Sequence, residues 1–257
     1  MSIPLFGFGV WKVPQEIAAT AVYDAIVAGI RHLDCAADYG NEVEVGQGIN
    51  RAIAEGIVKR EDLFITSKLW NSNHLAEHVE LACRKTLSDL NLEYVDLYLI
   101  HFPIALKHVP FDKKYPSNWV YDPESANPKI QLERRAPMHL TWAAMEKLVE
   151  KGLTKHIGVS NFNVQLLSDV LSYAVIPPYA NQLELHPYLV QQRLVNYCQE
   201  NNVKVVAFSP LGSASYVEIG GDGGHGQGND QYVNSCLFHS VCCLCRSSKG
   251  ANHPVDC

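Results

Sequence analysis

No apolar stretch in this 257-residue chain reaches the roughly 18–20 residues needed to span a bilayer, so no membrane-embedded segment is expected. Basic runs are absent too. Lys and Arg number 21 against 27 Asp and Glu, and the net charge of −6 argues against nucleic acid or an anionic membrane as the main partner. The opening MSIPLFGFGVWK lacks a basic segment followed by an apolar core and a small-residue cleavage site, so no secretory leader is expected. Charge is scarce overall, at 19% against 47% hydrophobic residues, which excludes a disordered chain and points to a globular one. A chain of this length buries a sizeable core as one large domain or two small ones.

Cysteine is plentiful, but its placement does not read as a disulfide framework. Cys35, Cys83 and Cys198 are scattered through regular segments, whereas Cys236, Cys242, Cys243, Cys245 and Cys257 crowd into the last 22 residues. The first three read as reduced, buried side chains of a cytoplasmic protein. The other five stand near His239 and His253, but their spacing matches no common zinc-ligand pattern, so no metal is expected.

Short β-type runs recur along the chain: FGFGVW (6–11), HLDCA (32–36), LFITSKLW (63–70), DLYLIHF (96–102), KHIGVSNF (155–162), YANQLELH (179–186) and VKVVAFSPL (203–211). Helical patterns separate them. Residues 14–29 place Ile17, Ala21, Ala25 and Ala28 on one face. Residues 73–90 follow the capping candidates Ser72 and Asn73, and 141–152 end on Gly152, suited to a helix C-terminus. Strand alternating with helix predicts parallel strands joined by right-handed crossovers. Seven units are countable, and a (β/α)8 barrel needs eight. A doubly wound open sheet is the alternative, but its glycine-rich dinucleotide turn has only GFGVW as a candidate, without a third glycine. The connection from Phe102 to Thr141 is long and rich in proline and aromatics, including Phe111, Tyr115, Trp119 and Tyr121. A segment of this kind reads as a lid or binding loop.

Four polar residues fall at or just past the ends of three β runs: Asp34 and Tyr39, Lys68, and His101. In a parallel barrel these ends share the face on which catalytic residues collect. Asp34 needs a partner, because a carboxylate taken from water loses its hydration, and Lys68 supplies one. The same ammonium placed against Tyr39 favours the phenolate and makes the phenol a better proton donor. His101 is suited to hydrogen-bond a carbonyl oxygen beside it. Together these groups can protonate a carbonyl as it becomes an alkoxide.

The segments LDCAADYGNE, TSKLW, LIHFP, IGVSNFN, NQLELHPYL and FSPLGS, in this order, resemble the aldo-keto reductases, and the loop HFPIALKHVPFDKKYP is most similar to xylose and related aldose reductases. The resemblance runs from Ile3 to Ser215 and more faintly through YVEIGGDGG. It implies a (β/α)8 TIM barrel that binds NADPH, or NADH, without a Rossmann fold and transfers hydride to an aldehyde or ketone. Tyr39 would be the proton donor, Lys68 and Asp34 its pKa-lowering partners, and His101 the group that orients the substrate. Ser160, Asn161 and Gln182 would hold the nicotinamide carboxamide. Phe208, where most of the family has tyrosine, would stack beneath the ring. Ser209, Leu211 and Ser213 would meet the pyrophosphate. Trp11, Trp70, Phe102 and Phe111, with His101, would wall the substrate pocket.

After Ser215 the text changes. The family's eighth strand, its IPKS-like motif and the Arg and Asn that grip the adenosine 2′-phosphate are not recognisable. The expectation is a barrel domain over 1–215 with seven of eight β/α units and a disordered, truncated Gly/Cys-rich tail over 216–257. The first and seventh strands would then have open edges. The partner expected is a small-molecule carbonyl substrate, with no nucleic acid and no membrane, and the chain is expected to be a monomer or weak homodimer. The alternative function is a catalytically impaired or non-enzymatic barrel protein, with a binding role or as a defective product.

Overall fold

A computed structural model describes residues 2–211 and the backbone of residues 241–244. The strands are β1 (Phe6–Gly9), β2 (His32–Asp34), β3 (Phe64–Leu69), β4 (Val95–Ile100), β5 (Thr154–Ser160), β6 (Ala180–Glu184), β7 (Lys204–Phe208) and β8 (Val241–Leu244). Six helices separate the first seven: α1 (Gln15–Val27), α2 (Glu42–Ala54), α3 (Ala76–Leu90), α4 (Met138–Glu150), α5 (Val164–Tyr173) and α6 (Gln192–Glu200). All seven expected β runs form strands, and β1 to β7 pair in chain order, each parallel to the next. The sheet closes on itself as a barrel, which removes the open doubly wound sheet from consideration.

The two-residue period of a strand divides its side chains between two cores. Ile65, Leu69, Tyr98, Ile100, Ile157, Val159, Leu183, Val205 and Ala207 join Val22, Ile26, Ile49, Val79, Met145 and Val195 from the helices in the layer between sheet and helices. Phe64, Leu97, Leu99, Ala180 and Val206 have the opposite parity and form a small separate core inside the barrel with Ile3. Space there is tight at Gly158 in β5. A Cβ at this position would come within 2.5 Å of the Ala180 carbonyl oxygen and 2.8 Å of the Leu99 side chain, so only glycine fits.

Three local expectations need correction. Helix α1 buries Ala18, Val22 and Ile26, one residue on from the expected face, and Ile17 is exposed. Ser72 and Asn73 do not cap α3; they lie in a 3₁₀ turn, Asn71–Asn73, and Leu75 precedes the helix. The edges of β1 and β7 are not open. The four-residue run VCCL forms β8, antiparallel to both, with Phe8 opposite Val241 and Ala207 opposite Cys243. An apolar run without charge or proline can satisfy the donors and acceptors that two unpaired edges present. A parallel eighth strand with its helix is not present among the described residues. The remainder of the expected tail, 216–240 and 245–257, lies outside the described residues.

The long connection between β4 and α4 is pinned against the 3₁₀ turn. Leu106 donates its N–H to the Asn71 carbonyl at 2.9 Å, the Ser72 and Ser117 hydroxyls meet at 2.7 Å, and His108 Nδ1 donates to the Ser72 carbonyl at 3.2 Å. A lone antiparallel bridge, Leu106 to Leu132, ties its two halves together.

Candidate active site

Strand β2 is only three residues long, and its parity sends Leu33 to the helices while His32 and Asp34 face inward. His32 lies against Thr66 at 3.0 Å, and burial lowers its pKa to about 4, so it is neutral. Asp34 sits one layer nearer the strand ends, as does Lys68 in β3, and both are buried. The ammonium of Lys68 donates to Asp34 Oδ1 at 2.5 Å, to the Cys35 carbonyl at 2.9 Å and to the Tyr39 hydroxyl oxygen at 3.0 Å. Those three bonds use every donor that a lysine has. Burial acts to lower the pKa of Lys68, but the carboxylate of Asp34 and the phenol of Tyr39 outweigh it and raise the pKa above the ordinary lysine value. The charge on the amine is therefore secure.

Tyr39 stands on a 3₁₀ turn, Ala37–Tyr39, directly after β2. Asn41, two residues on, ties that turn to the β1–α1 loop by donating to the carbonyls of Val10 and Val13 at 2.9 and 3.0 Å. His101, just past β4, packs edge-on to Tyr39 with ring centroids 5.9 Å apart. Burial first, then Lys68 and His74, push its pKa well below the ordinary histidine value. A neutral imidazole presents one N–H donor and one acceptor.

The opposite wall comes from β5, β6 and β7. The Ser160 hydroxyl donates to the Gln182 carbonyl at 3.0 Å, and the Asn161 amide donates to the His101 carbonyl at 2.9 Å. Asn161 holds φ at +64° and Ser209 at +49°, both in the left-handed region that side chains adopt only when the surroundings enforce it. Such outliers cluster at ligand sites.

These walls enclose a cavity of about 170 Å³ lined by Gly9, Trp11, Asp34, Asp38, Tyr39, His101, Phe102, Trp119, Ser160, Asn161, Gln182, Phe208 and Ser209. The sequence-predicted residues thus converge, apart from five. Lys68 lies behind the cavity and reaches it through Asp34 and Tyr39. Trp70 is also behind it, edge-on to His101, Phe102 and Trp119, so it buttresses the wall. Phe111 belongs to a neighbouring crevice with Val109, Tyr115 and Pro116 and does not line the cavity; its part of the loop is pinned beside Trp70. Leu211 is exposed, and Ser213 lies outside the described residues.

Three lining residues, Gly9, Asp38 and Trp119, escaped sequence reasoning. Trp119 had only the aromatic character of the long loop to signal it. Asp38 directly precedes Tyr39, and burial, partly offset by Lys68, pushes its carboxyl up to about 6. No group of three or more potential metal ligands occurs among the described residues.

The aldo/keto reductase family model matches residues 5–236. The chain belongs to the aldo/keto reductase family. It is 55% identical over 217 residues to a probable NAD(P)H-dependent D-xylose reductase of Aspergillus clavatus, covering 84% of this chain and 64% of that one. An NADH-dependent D-xylose reductase of Candida parapsilosis is 52% identical over 217 residues, covering 84% and 66%. An aldo-keto reductase of Bombyx mori, solved in complex with NADP, superposes with a TM-score of 0.71 at 38% identity, covering 81% of this chain and 63% of that one. This family member thus spans about two thirds of the length of the relatives it matches.

Proposed function

We propose that this aldo/keto reductase reduces an aldehyde or ketone of the aldose type to its alcohol, with NADPH or NADH as the reductant. One observation carries the reading: the Lys68 ammonium bridges Asp34 at 2.5 Å and the Tyr39 hydroxyl at 3.0 Å at the floor of the cavity. A cation on the phenol oxygen stabilises the phenolate, so Tyr39 can release its proton to a developing alkoxide. His101, held neutral, offers a hydrogen bond that fixes the carbonyl oxygen beside Tyr39. The relatives named as xylose reductases support an aldose as substrate, and so does Asp38. A carboxyl in the same lining as the aromatic Trp11, Phe102 and Trp119 gives a polyhydroxylated chain a hydrogen-bonding partner that a plain apolar aldehyde would leave unused.

The wall opposite Tyr39 fits a nicotinamide. Ser160, Asn161 and Gln182 line the same cavity as the Phe208 ring, a lining of hydroxyl, amide and aromatic groups that suits a carboxamide attached to a flat aromatic ring. When bound, the cofactor supplies the hydride. Ser160, Asn161 and Gln182 fix which face of the ring meets the substrate, and Trp11, Phe102 and Trp119 exclude water from the cavity. Ser209 and Leu211 follow directly and would meet the pyrophosphate, with Ser213 after them.

Three cysteines of the barrel, Cys35, Cys83 and Cys198, are unpaired and buried, which supports a reducing, cytoplasmic location. No helix among the described residues is long and apolar enough to cross a membrane. A second reading, a binding protein of low activity, is favoured by one observation: no parallel eighth β/α unit follows β7 among the described residues. One experiment separates the two. Purified chain is titrated with NADPH while intrinsic fluorescence and melting temperature are followed, and D-xylose and glyceraldehyde reduction are assayed in parallel. Saturable binding with turnover supports the reductase. Saturable binding without turnover supports the second reading, and absence of binding overturns both.

A further inference from the structure

Asp34 is held from two sides. Lys68 occupies Oδ1 at 2.5 Å, and the side-chain amide of Gln182, 148 residues further along the chain, donates to Oδ2 at 2.6 Å. Gln182 belongs to β6, so this bond crosses the barrel interior from β2. The main chain of Gln182 is engaged as well, since its carbonyl accepts from the Ser160 hydroxyl at 3.0 Å and from the Asn161 N–H at 2.9 Å. One residue therefore joins the Ser160–Asn161 wall to the carboxylate behind Tyr39.

We propose that Gln182 is a positioning residue of the proton donor, acting on Tyr39 through Asp34 and Lys68. This rests on the reading of Tyr39 as the acid. The physical argument is one of charge. A carboxylate near a phenol opposes phenolate formation, whereas the ammonium between them favours it. A donor on Oδ2 draws charge away from the phenol side of Asp34 and makes the carboxylate a weaker competitor for the ammonium. It also fixes the carboxylate plane, and the Lys68 ammonium, with all three donors committed, cannot shift without breaking a bond. Without the Gln182 donor, Asp34 pulls harder on Lys68 and the phenol loses part of its cation. A residue that only held a nicotinamide carboxamide would leave the titration of Tyr39 in the cofactor-free chain untouched.

The test needs no turnover. Tyrosinate absorbance is titrated against pH in the full chain and in Tyr39→Phe, and the difference isolates Tyr39 from the other 11 tyrosines of the 12 present. The same difference is then taken in Gln182→Met, which keeps the length of the side chain and removes the donor. The expected result is a Tyr39 midpoint below the ordinary tyrosine value, moved upward in Gln182→Met by about 0.5–1 pH unit. Should the methionine variant not fold, as judged by circular dichroism, Gln182→Asn is used. It is one methylene too short to reach Oδ2 and should give the same displacement. An unchanged midpoint in a folded variant overturns the proposal while leaving the reductase reading intact. A Tyr39 midpoint that is not depressed in the parent chain counts instead against Tyr39 as the cation-assisted acid, and so overturns both.

Discussion

Ser67 donates its hydroxyl to Glu42 Oε1 at 2.6 Å, on the face of β3 opposite to that of Lys68. The second Glu42 oxygen accepts from Thr86 at 3.1 Å, and the carboxyl is buried between α2, β3 and α3. Burial raises its pKa to about 7, against the lowering effect of those two hydrogen bonds. The folded state therefore keeps a proton that the unfolded chain gives up near pH 4.5. Between these values the native form binds more protons, so the contribution of Glu42 to stability falls as pH rises from about 4.5 to 7. Glu42→Gln should be more stable than the parent at pH 8, by up to about 3 kcal/mol, and should lose this slope. Urea unfolding at pH 5, 6.5 and 8 checks it. Equal stability of the two chains at pH 8 would contradict the burial argument.

Tyr39→Phe removes the proposed proton donor and keeps the ring. Carbonyl reduction should drop by at least about 100-fold, with NADPH affinity within a few-fold of the parent. Single-turnover reduction of glyceraldehyde and a fluorescence titration give the two numbers, and parental turnover in the variant would refute the role of Tyr39.

Lys68→Met leaves the buried Asp34 carboxylate without its counter-ion, and removing one partner of such a pair costs about 3–5 kcal/mol. Denaturant midpoints should therefore fall sharply. In the folded fraction the tyrosinate midpoint of Tyr39 should rise, because its cation is gone. Asp34→Asn, combined with Lys68→Met, should restore part of the lost stability. A double variant no more stable than Lys68→Met alone would show that the cost arises elsewhere.

Deleting residues 241–257 removes β8 and exposes the edges of β1 and β7 that it pairs. The shortened chain should melt at a lower temperature and bind more of a hydrophobic dye, because unpaired edges and opened core favour aggregation. Identical melting curves for the two chains would mean that β8 does not hold the barrel closed.

NADPH should bind with little advantage over NADH. The Arg and Asn expected to grip a 2′-phosphate are not recognisable in the sequence; hydrogen bonds to a charged group contribute about 1.5–3 kcal/mol each, so two or three fewer of them would lower affinity by several powers of ten. Parallel titrations with the two cofactors measure this directly, and strong NADPH selectivity would show that other residues rebuild the phosphate site.

Much of the barrel was legible because its signals are local. Seven apolar runs bounded by helical patterns became seven strands, and the polar residues that end them, such as Lys68 and His101, stood out against buried neighbours. The face of α1 was misplaced by one residue because an alanine-rich helix offers little contrast between Ile17 and Ala18. Strand β8 was not legible, since VCCL is short and its partners are more than 30 residues away in sequence. Asp38 and Trp119 face the cavity only through the folding of a turn and a long loop, which no periodicity encodes. The bond from Gln182 to Asp34 depends on barrel closure and could not be read from either segment alone.

The polarity of β8 also sets the kind of seam that closes the barrel. Val241 pairs with Phe8, near the cavity-lining Gly9, and Cys243 pairs with Phe6, so β8 runs away from the rim. Leu211 follows Ser209 at that same rim. Strands β1 to β7 all run toward that rim, so β8 alone among the described strands runs against its neighbours. Its two ladders therefore take the alternating close and wide hydrogen-bond pairs of antiparallel strands, whereas the other described seams of the barrel carry the even, slanted bonds of parallel ones.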